Sequence, residues 1–223
     1  MGVIASMISV ELYEAARIRR MAAKGGAKHT VFRVGEIDST ITGRVKELVE
    51  LFSLIDSSKA TTNLQGERWT KLTQNSMRNG ICAATGLTGG DCDRNDVIRR
   101  FSLQVGGEAI RVGRALGYQL EKMGPLMPDQ IEAASRDDPQ VLPEVEKIML
   151  GRTAHNPRAD IQRPSMAQDM RKGRKTEIEF MNGFIAAKGK AVGIPTPANE
   201  KLVSAVLSVE NGKVKASAAV LGG

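Results

Sequence analysis

The rhythm of apolar and polar positions changes once along the chain, near residue 65. Before it, residues 3–12 and 29–36 are β-branched and apolar and read as strands, bounded by glycines or by the arginine-rich segment 17–28. Between residues 42 and 54, apolar side chains recur at Val45, Leu48, Val49 and Phe52, the spacing of one helix face. Residues 57–62 form a short polar strand candidate. This strand, strand, helix, strand fragment is too small to bury both faces of a sheet.

Beyond residue 65 the period is helical. One helix is expected over 67–85, stopped by Gly86, and a glycine-rich turn, GLTGGDCD, follows. Asp93 is placed to cap a helix running to Leu116 and ending at Gly117. Gly106 and Gly107 would weaken that helix if it were exposed, so they predict close helix packing. Shorter helices are expected over 129–135 and 139–150, then a loop over 151–163. Pro164, at a first helical position, opens a long helix to Val192 that Gly193 closes. Thr196 and Pro197 start a last helix ending near Gly212, and the small, basic remainder reads as frayed. The expected organisation is therefore residues 1–64, residues 65–212 as a helical unit, and residues 213–223 as a flexible tail. The fold class is mainly α.

Composition narrows the partners. The 223 residues carry a formal net charge of +7, but only two Tyr, one Trp and five Phe, so a base-stacking surface is hard to build. The basic residues are dispersed, and most would be solvated; a small anion could use one or two of them. No nucleic acid partner is expected. No apolar run approaches a membrane span, and nothing resembles a signal peptide. Cys82 and Cys92 fit neither a zinc motif nor a disulfide framework, which suits a reducing cytoplasm. With only His29 and His155, no metal centre is expected.

Two helical stretches carry candidate chemistry. In ERWTKLTQNSMRNG, Lys71, Asn75 and Asn79 follow at four-residue steps, which keeps them within roughly 80° of one face on a continuous helix. In RPSMAQDMRKGRKTEIEFMNGF, Ser165 and Asp169 share a face at about 40° separation, with Glu177 about 120° round. One stretch offers a lysine and two amides, the other a hydroxyl and two carboxylates. Amides and a hydroxyl bind an oxyanion without adding charge, and an ammonium beside a carbonyl can stabilise an alkoxide and donate its proton. Either stretch taken alone is also an ordinary wet helix face, with Asp169 and Glu177 paired to nearby Arg or Lys. No G-x-G-x-x-G, Walker or G-x-S-x-G motif occurs, so any hydride must come from elsewhere.

Together, K-x-x-x-N-x-x-x-N and S-x-x-x-D-x-x-x-x-x-x-x-E, in that order, resemble the helical half of ketopantoate reductases (2-dehydropantoate 2-reductases). The similarity extends through GIPTPANEKLVSAV and spans most of residues 31–209. The resemblance implies a helical C-terminal domain preceded by the residual β/α edge of a Rossmann domain that binds NADPH. By position it makes Lys71 the general acid and Glu177 its orienting partner. It makes Asn75, Asn79, Ser165 and Asp169 binders of a small 2-oxo acid. The family's opening glycine fingerprint and its loop asparagine do not appear, and the chain reads as beginning inside the last strands of the nucleotide domain. Gln162 and Gly89 stand where further substrate-side asparagines are expected, and residues 124–163 read as longer than in compact members. Exposed sheet edges and uncovered apolar helix faces lead us to expect self-association, a homodimer being one form of it, while the order of the assembly is not given by the sequence. The rival reading is an incomplete homologue serving as a dimerisation or interaction module.

Overall fold

The computed structural model describes residues 1–5, 10–20, 30–156, 159–161 and 163–222. His29, at the edge of an expected strand, and Gln162 lie outside the described residues. Among those described, the chain forms two compact units, Met1–Arg68 and Trp69–Gly223.

The first unit holds β1 (Gly2–Ala5), β2 (Val10–Glu14), β3 (Arg17–Arg20), β4 (Phe32–Gly35), α1 (Gly43–Ser53) and β5 (Ser58–Ala60). The strand expected over 3–12 is two: β1 pairs antiparallel with β4, whereas β2 pairs antiparallel with β3. The arginine-rich segment, read as a boundary, thus begins as a strand. Ladder bonds use backbone groups, so pairing overrides the weak preference of individual side chains. β4 and β5 run parallel with α1 between them, completing the three-stranded order β1-β4-β5. Thr42 caps α1 by accepting the Val45 N–H, and Phe52 on α1 stacks on Phe32 of β4 with ring centroids 4.7 Å apart.

The second unit is all helical. It comprises the end of α2 (Leu64–Ser76), then α3 (Asn79–Thr85), α4 (Gly89–Arg94), α5 (Asp96–Ala115), α6 (Pro128–Ala134), α7 (Leu142–Ala154), α8 (Ser165–Arg171), α9 (Ile178–Ala191) and α10 (Pro197–Glu210). The helix expected over 67–85 is therefore α2 plus α3, and the one expected over 164–192 is α8 plus α9. Pro164 sits at the cap of α8 rather than inside it. Asp93 is no N-cap: Thr88 and Asp91 form a capping box for α4, and Asn95 caps α5. Asp93 instead accepts Arg78 at 2.5 Å and the Thr153 hydroxyl at 2.6 Å, tying α3 to α4 and α7. α7 continues through Gly151, so the loop after it begins later than expected.

Three apolar clusters organise this unit, the smallest formed by Trp69, Ala109, Val112 and Ile185. Ile81, Ile98, Met166, Ile178 and Leu202 centre the largest, and Leu103, Ile110, Ile131 and Val145 centre the second around α5, α6 and α7. The packing expected at Gly106 and Gly107 is present: a Cβ on Gly107 would lie 2.0 Å from Ser135 Oγ. Thr196 stands at the cap position of α10 but makes no capping bond. Buried Glu108 of α5 takes that role, accepting the Ala198 and Asn199 N–H groups at 2.8 and 2.9 Å. The segment after Gly212 is held rather than loose. Ser217 N–H donates to Ala84 O at 3.2 Å, and Leu221, in a 3₁₀ turn (Ala218–Leu221), is 2% exposed within the largest cluster.

Candidate active site

Lys71 and Asn75 stand one turn apart on α2 and are half-buried. Among the described residues Lys71 has no carboxylate or hydrogen-bond partner, and burial pushes its ammonium below the usual lysine range. Desolvation without compensation disfavours the charged form, which makes the proton easier to give up.

Asn79 does not extend that helix face. α2 ends at Ser76, and Arg78 leaves helical geometry at φ −131°, ψ −49°. The carbonyls freed at the interruption are taken by side chains. Ser102 Oγ donates to Met77 O at 2.8 Å, and Asn182 Nδ2 reaches Ser76 O at 3.4 Å. The Arg78 guanidinium crosses to Gly89 O at 2.5 Å as well as to Asp93. A rotation of 100° per residue therefore relates Lys71 to Asn75 only, and Asn79 is aimed by the break.

A second interruption builds the other half. After α8, Gly173 takes a left-handed φ of +65°, and Arg174 N–H returns to Asp169 O at 2.9 Å. Thr176 then donates its N–H and hydroxyl to Glu210 Oε2, each at 2.7 Å, before α9 begins behind Glu177. The turn carries Glu177 back to the start of α8, where Ser165 Oγ lies 3.4 Å from Glu177 Oε1. The helical-wheel angle computed for Glu177 does not apply across this turn. Asp169 Oδ1 lies 3.6 Å from Arg174 Nη1.

Gly80 brings the two halves near each other. A Cβ there would sit 2.8 Å from Ile178 Cδ1 and 3.1 Å from Leu202 Cδ2. Asn79 and Glu177 directly precede the two residues of that first contact. Ser165, Glu177 and Asn79 stand at the starts of α8, α9 and α3, and the starts of α9 and α3 meet through Gly80 and Ile178. Among the described residues no ion pair or hydrogen bond joins Lys71 to Glu177, nor the Asn75 or Asn79 amides to α8 or α9. Arg174 is one of the dispersed basic residues, and its pairing with Asp169, like the bond from Asn182 to Ser76 O, is not legible in the sequence. A signal existed for Asn182, an amide in an apolar helix run where a polar residue is costly unless bonded. No group of His, Cys, Asp and Glu among the described residues could hold a metal ion, and no helix is long and apolar enough to cross a membrane.

Comparison with known proteins identifies relatives of the chain. The family model described as "Ketopantoate reductase PanE/ApbA C terminal" matches residues 63–210. A 2-dehydropantoate 2-reductase of Archaeoglobus fulgidus is 30% identical over 182 residues, covering 80% of this chain and 52% of that protein. Among solved structures, a ketopantoate reductase of Ralstonia eutropha JMP134 aligns with a TM-score of 0.66 at 23% identity, over 95% of this chain and 59% of its own. A D-mandelate dehydrogenase complexed with NADH aligns at 0.67 and 18% identity, over 94% and 61%. The chain spans about half the length of the curated relatives it matches.

Proposed function

The chain belongs to the ketopantoate reductase family, and from that premise we propose that it carries the substrate half of a reductase of 2-dehydropantoate or a close 2-oxo acid. The observation that carries this reading is Lys71: half-buried, unpaired among the described residues, and with its proton made labile by desolvation. In this reading the ammonium approaches the 2-oxo oxygen, stabilises the alkoxide as it forms and protonates it. Glu177, positioned with Ser165, orients the ammonium once substrate draws the two halves together. Asn75, Asn79, Ser165 and Asp169 receive the substrate's carboxylate and hydroxyl groups, with Arg174 holding Asp169.

The hydride would come from NADPH, which supplies two electrons and one proton's worth of hydrogen to the carbonyl carbon. The βαβ piece formed by β4, α1 and β5 belongs to the kind of sheet that binds nucleotides beyond its strand ends. Here Glu36 closes β4, paired to Arg44 at 2.7 Å, and no glycine triplet follows it. That end does not suit a pyrophosphate, so no residue of this chain is assigned to the cofactor. The buried, unlinked thiols Cys82 and Cys92 are consistent with a cytoplasmic setting.

A second reading, an association module or a homodimer, is favoured by one feature. Phe180 and Phe184 on α9 are 82% and 42% exposed. NADPH titration followed by turnover with ketopantoate separates the two. In any form that turns over, Lys71→Ala should lower turnover by about 10²- to 10⁴-fold and weaken NADPH binding far less. Near-normal turnover in that variant would sink the general-acid role, and self-association without ketopantoate binding would favour the module.

A further inference from the structure

A cavity of about 430 Å³ opens beside α3, α8 and the end of α10, and none of the candidate catalytic residues lines it. Its size lies within the range of small-molecule sites. The floor is apolar: Ala83 and Ala167 are buried, and Met170 is partly so. The rim carries four cations, Arg163, Arg171, Arg174 and Lys175, against one carboxylate, Glu210.

The commitments of these charges decide what the cavity suits. Glu210 is turned toward the α8–α9 turn, its Oε2 accepting both Thr176 donors. Arg163 donates to Gly86 O, and Arg174 faces Asp169. Arg171 and Lys175 have no partner among the described residues. Two uncommitted cations lining one cavity, on either side of the turn at Gly173, attract an anion. An apolar floor below them adds a place for a hydrocarbon or aryl body.

We propose that this cavity binds a small organic anion. Its apolar body rests on Ala83, Ala167 and Met170, and its acidic group lies between Arg171 and Lys175. The cavity shares Arg174 and the Gly173 turn with the elements that position the proposed 2-oxo acid site, but none of Lys71, Asn75, Asn79, Ser165, Asp169 or Glu177 lines it, and it does not depend on that reading.

Isothermal titration of the intact chain with phenylphosphonate tests it, with inorganic phosphate as the body-less control. Phenylphosphonate should saturate one site. Phosphate should bind at least about tenfold more weakly, because the buried ring contributes that much or more. The exposed double substitution Arg171→Ala/Lys175→Ala should weaken phenylphosphonate by about tenfold or more, whereas Lys71→Ala should leave it unchanged. The proposal is overturned if phenylphosphonate does not saturate, or if phosphate binds equally well. It is also overturned if affinity follows Lys71 and ignores Arg171 and Lys175.

Discussion

The Ser165 hydroxyl and the Glu177 carboxylate approach to 3.4 Å although twelve residues separate them. On one uninterrupted helix the two Cα atoms would stand about 18 Å apart along the axis. The interruption at Gly173 is what joins them. Gly173→Ala forces a side chain into a left-handed conformation, at a cost of about 1 kcal/mol. Denaturant unfolding should show that loss, and titration with ketopantoate should show a larger loss of affinity. Unchanged affinity with lowered stability would separate the turn from the site.

Glu108 should prove one of the more sensitive positions in the helical unit. Its carboxylate satisfies two N–H groups at the start of α10 and the Asn199 amide, all while 4% exposed. Glu108→Ala orphans two buried N–H groups and leaves the Asn199 amide only Val105 O, and about 3 kcal/mol should be lost. For a chain of this size that corresponds to a fall in Tm of roughly 6–12 °C by calorimetry. Glu108→Gln, which keeps one acceptor oxygen, should lose less.

Two glycines predict opposite signs. At Gly107 a Cβ would meet Ser135 Oγ and Cβ at 2.0 and 2.4 Å, so Gly107→Ala should destabilise by about 1–3 kcal/mol. At Gly151, within α7, a Cβ would meet nothing within 4 Å, and Gly151→Ala should stabilise by about 0.5–1 kcal/mol. Chemical denaturation of both variants checks the pair.

Acid should act on the first unit through Glu36. Hydrogen bonds from Arg44 and then Thr42 hold its carboxyl at about 2, against an ordinary 4.5. A depressed carboxylate stabilises the fold fully above its unfolded value and loses that contribution as pH falls through the folded one. Between pH 4.5 and about 2 the wild-type chain should therefore lose stability more steeply than Glu36→Gln. Parallel acid-unfolding curves, followed by circular dichroism, would contradict this.

Local patterns were read well where the relevant physics is local. The helix over α1 follows from Val45, Leu48, Val49 and Phe52, and the mainly helical class follows from the long 3.6-residue period after residue 65. Readings that assumed continuity failed at Arg78 and Gly173. The break at Arg78 has no strong sequence mark, whereas Gly173 marks the other, although an isolated glycine is also tolerated inside a helix. Both are stabilised from a distance: Ser102 and Asn182 take the carbonyls freed near Arg78, and Glu210 clamps Thr176. The same reason explains Asp93, an ordinary cap residue in sequence that serves as a buried acceptor for Arg78 and Thr153.

By itself, then, the order of residues determined the family and the side chains to watch, Lys71, Asn75, Asn79, Ser165, Asp169 and Glu177. Spacing and residue type survive in one dimension, which is why both were legible there. Tertiary structure alone decided that Ser165 meets Glu177, that Asn79 leaves the face of Lys71, and that Gly80 lets α9 approach α3. Those relationships come from helix interruptions whose cost is met by hydrogen bonds between residues 25 to 106 positions apart, and a helical period carries no record of them.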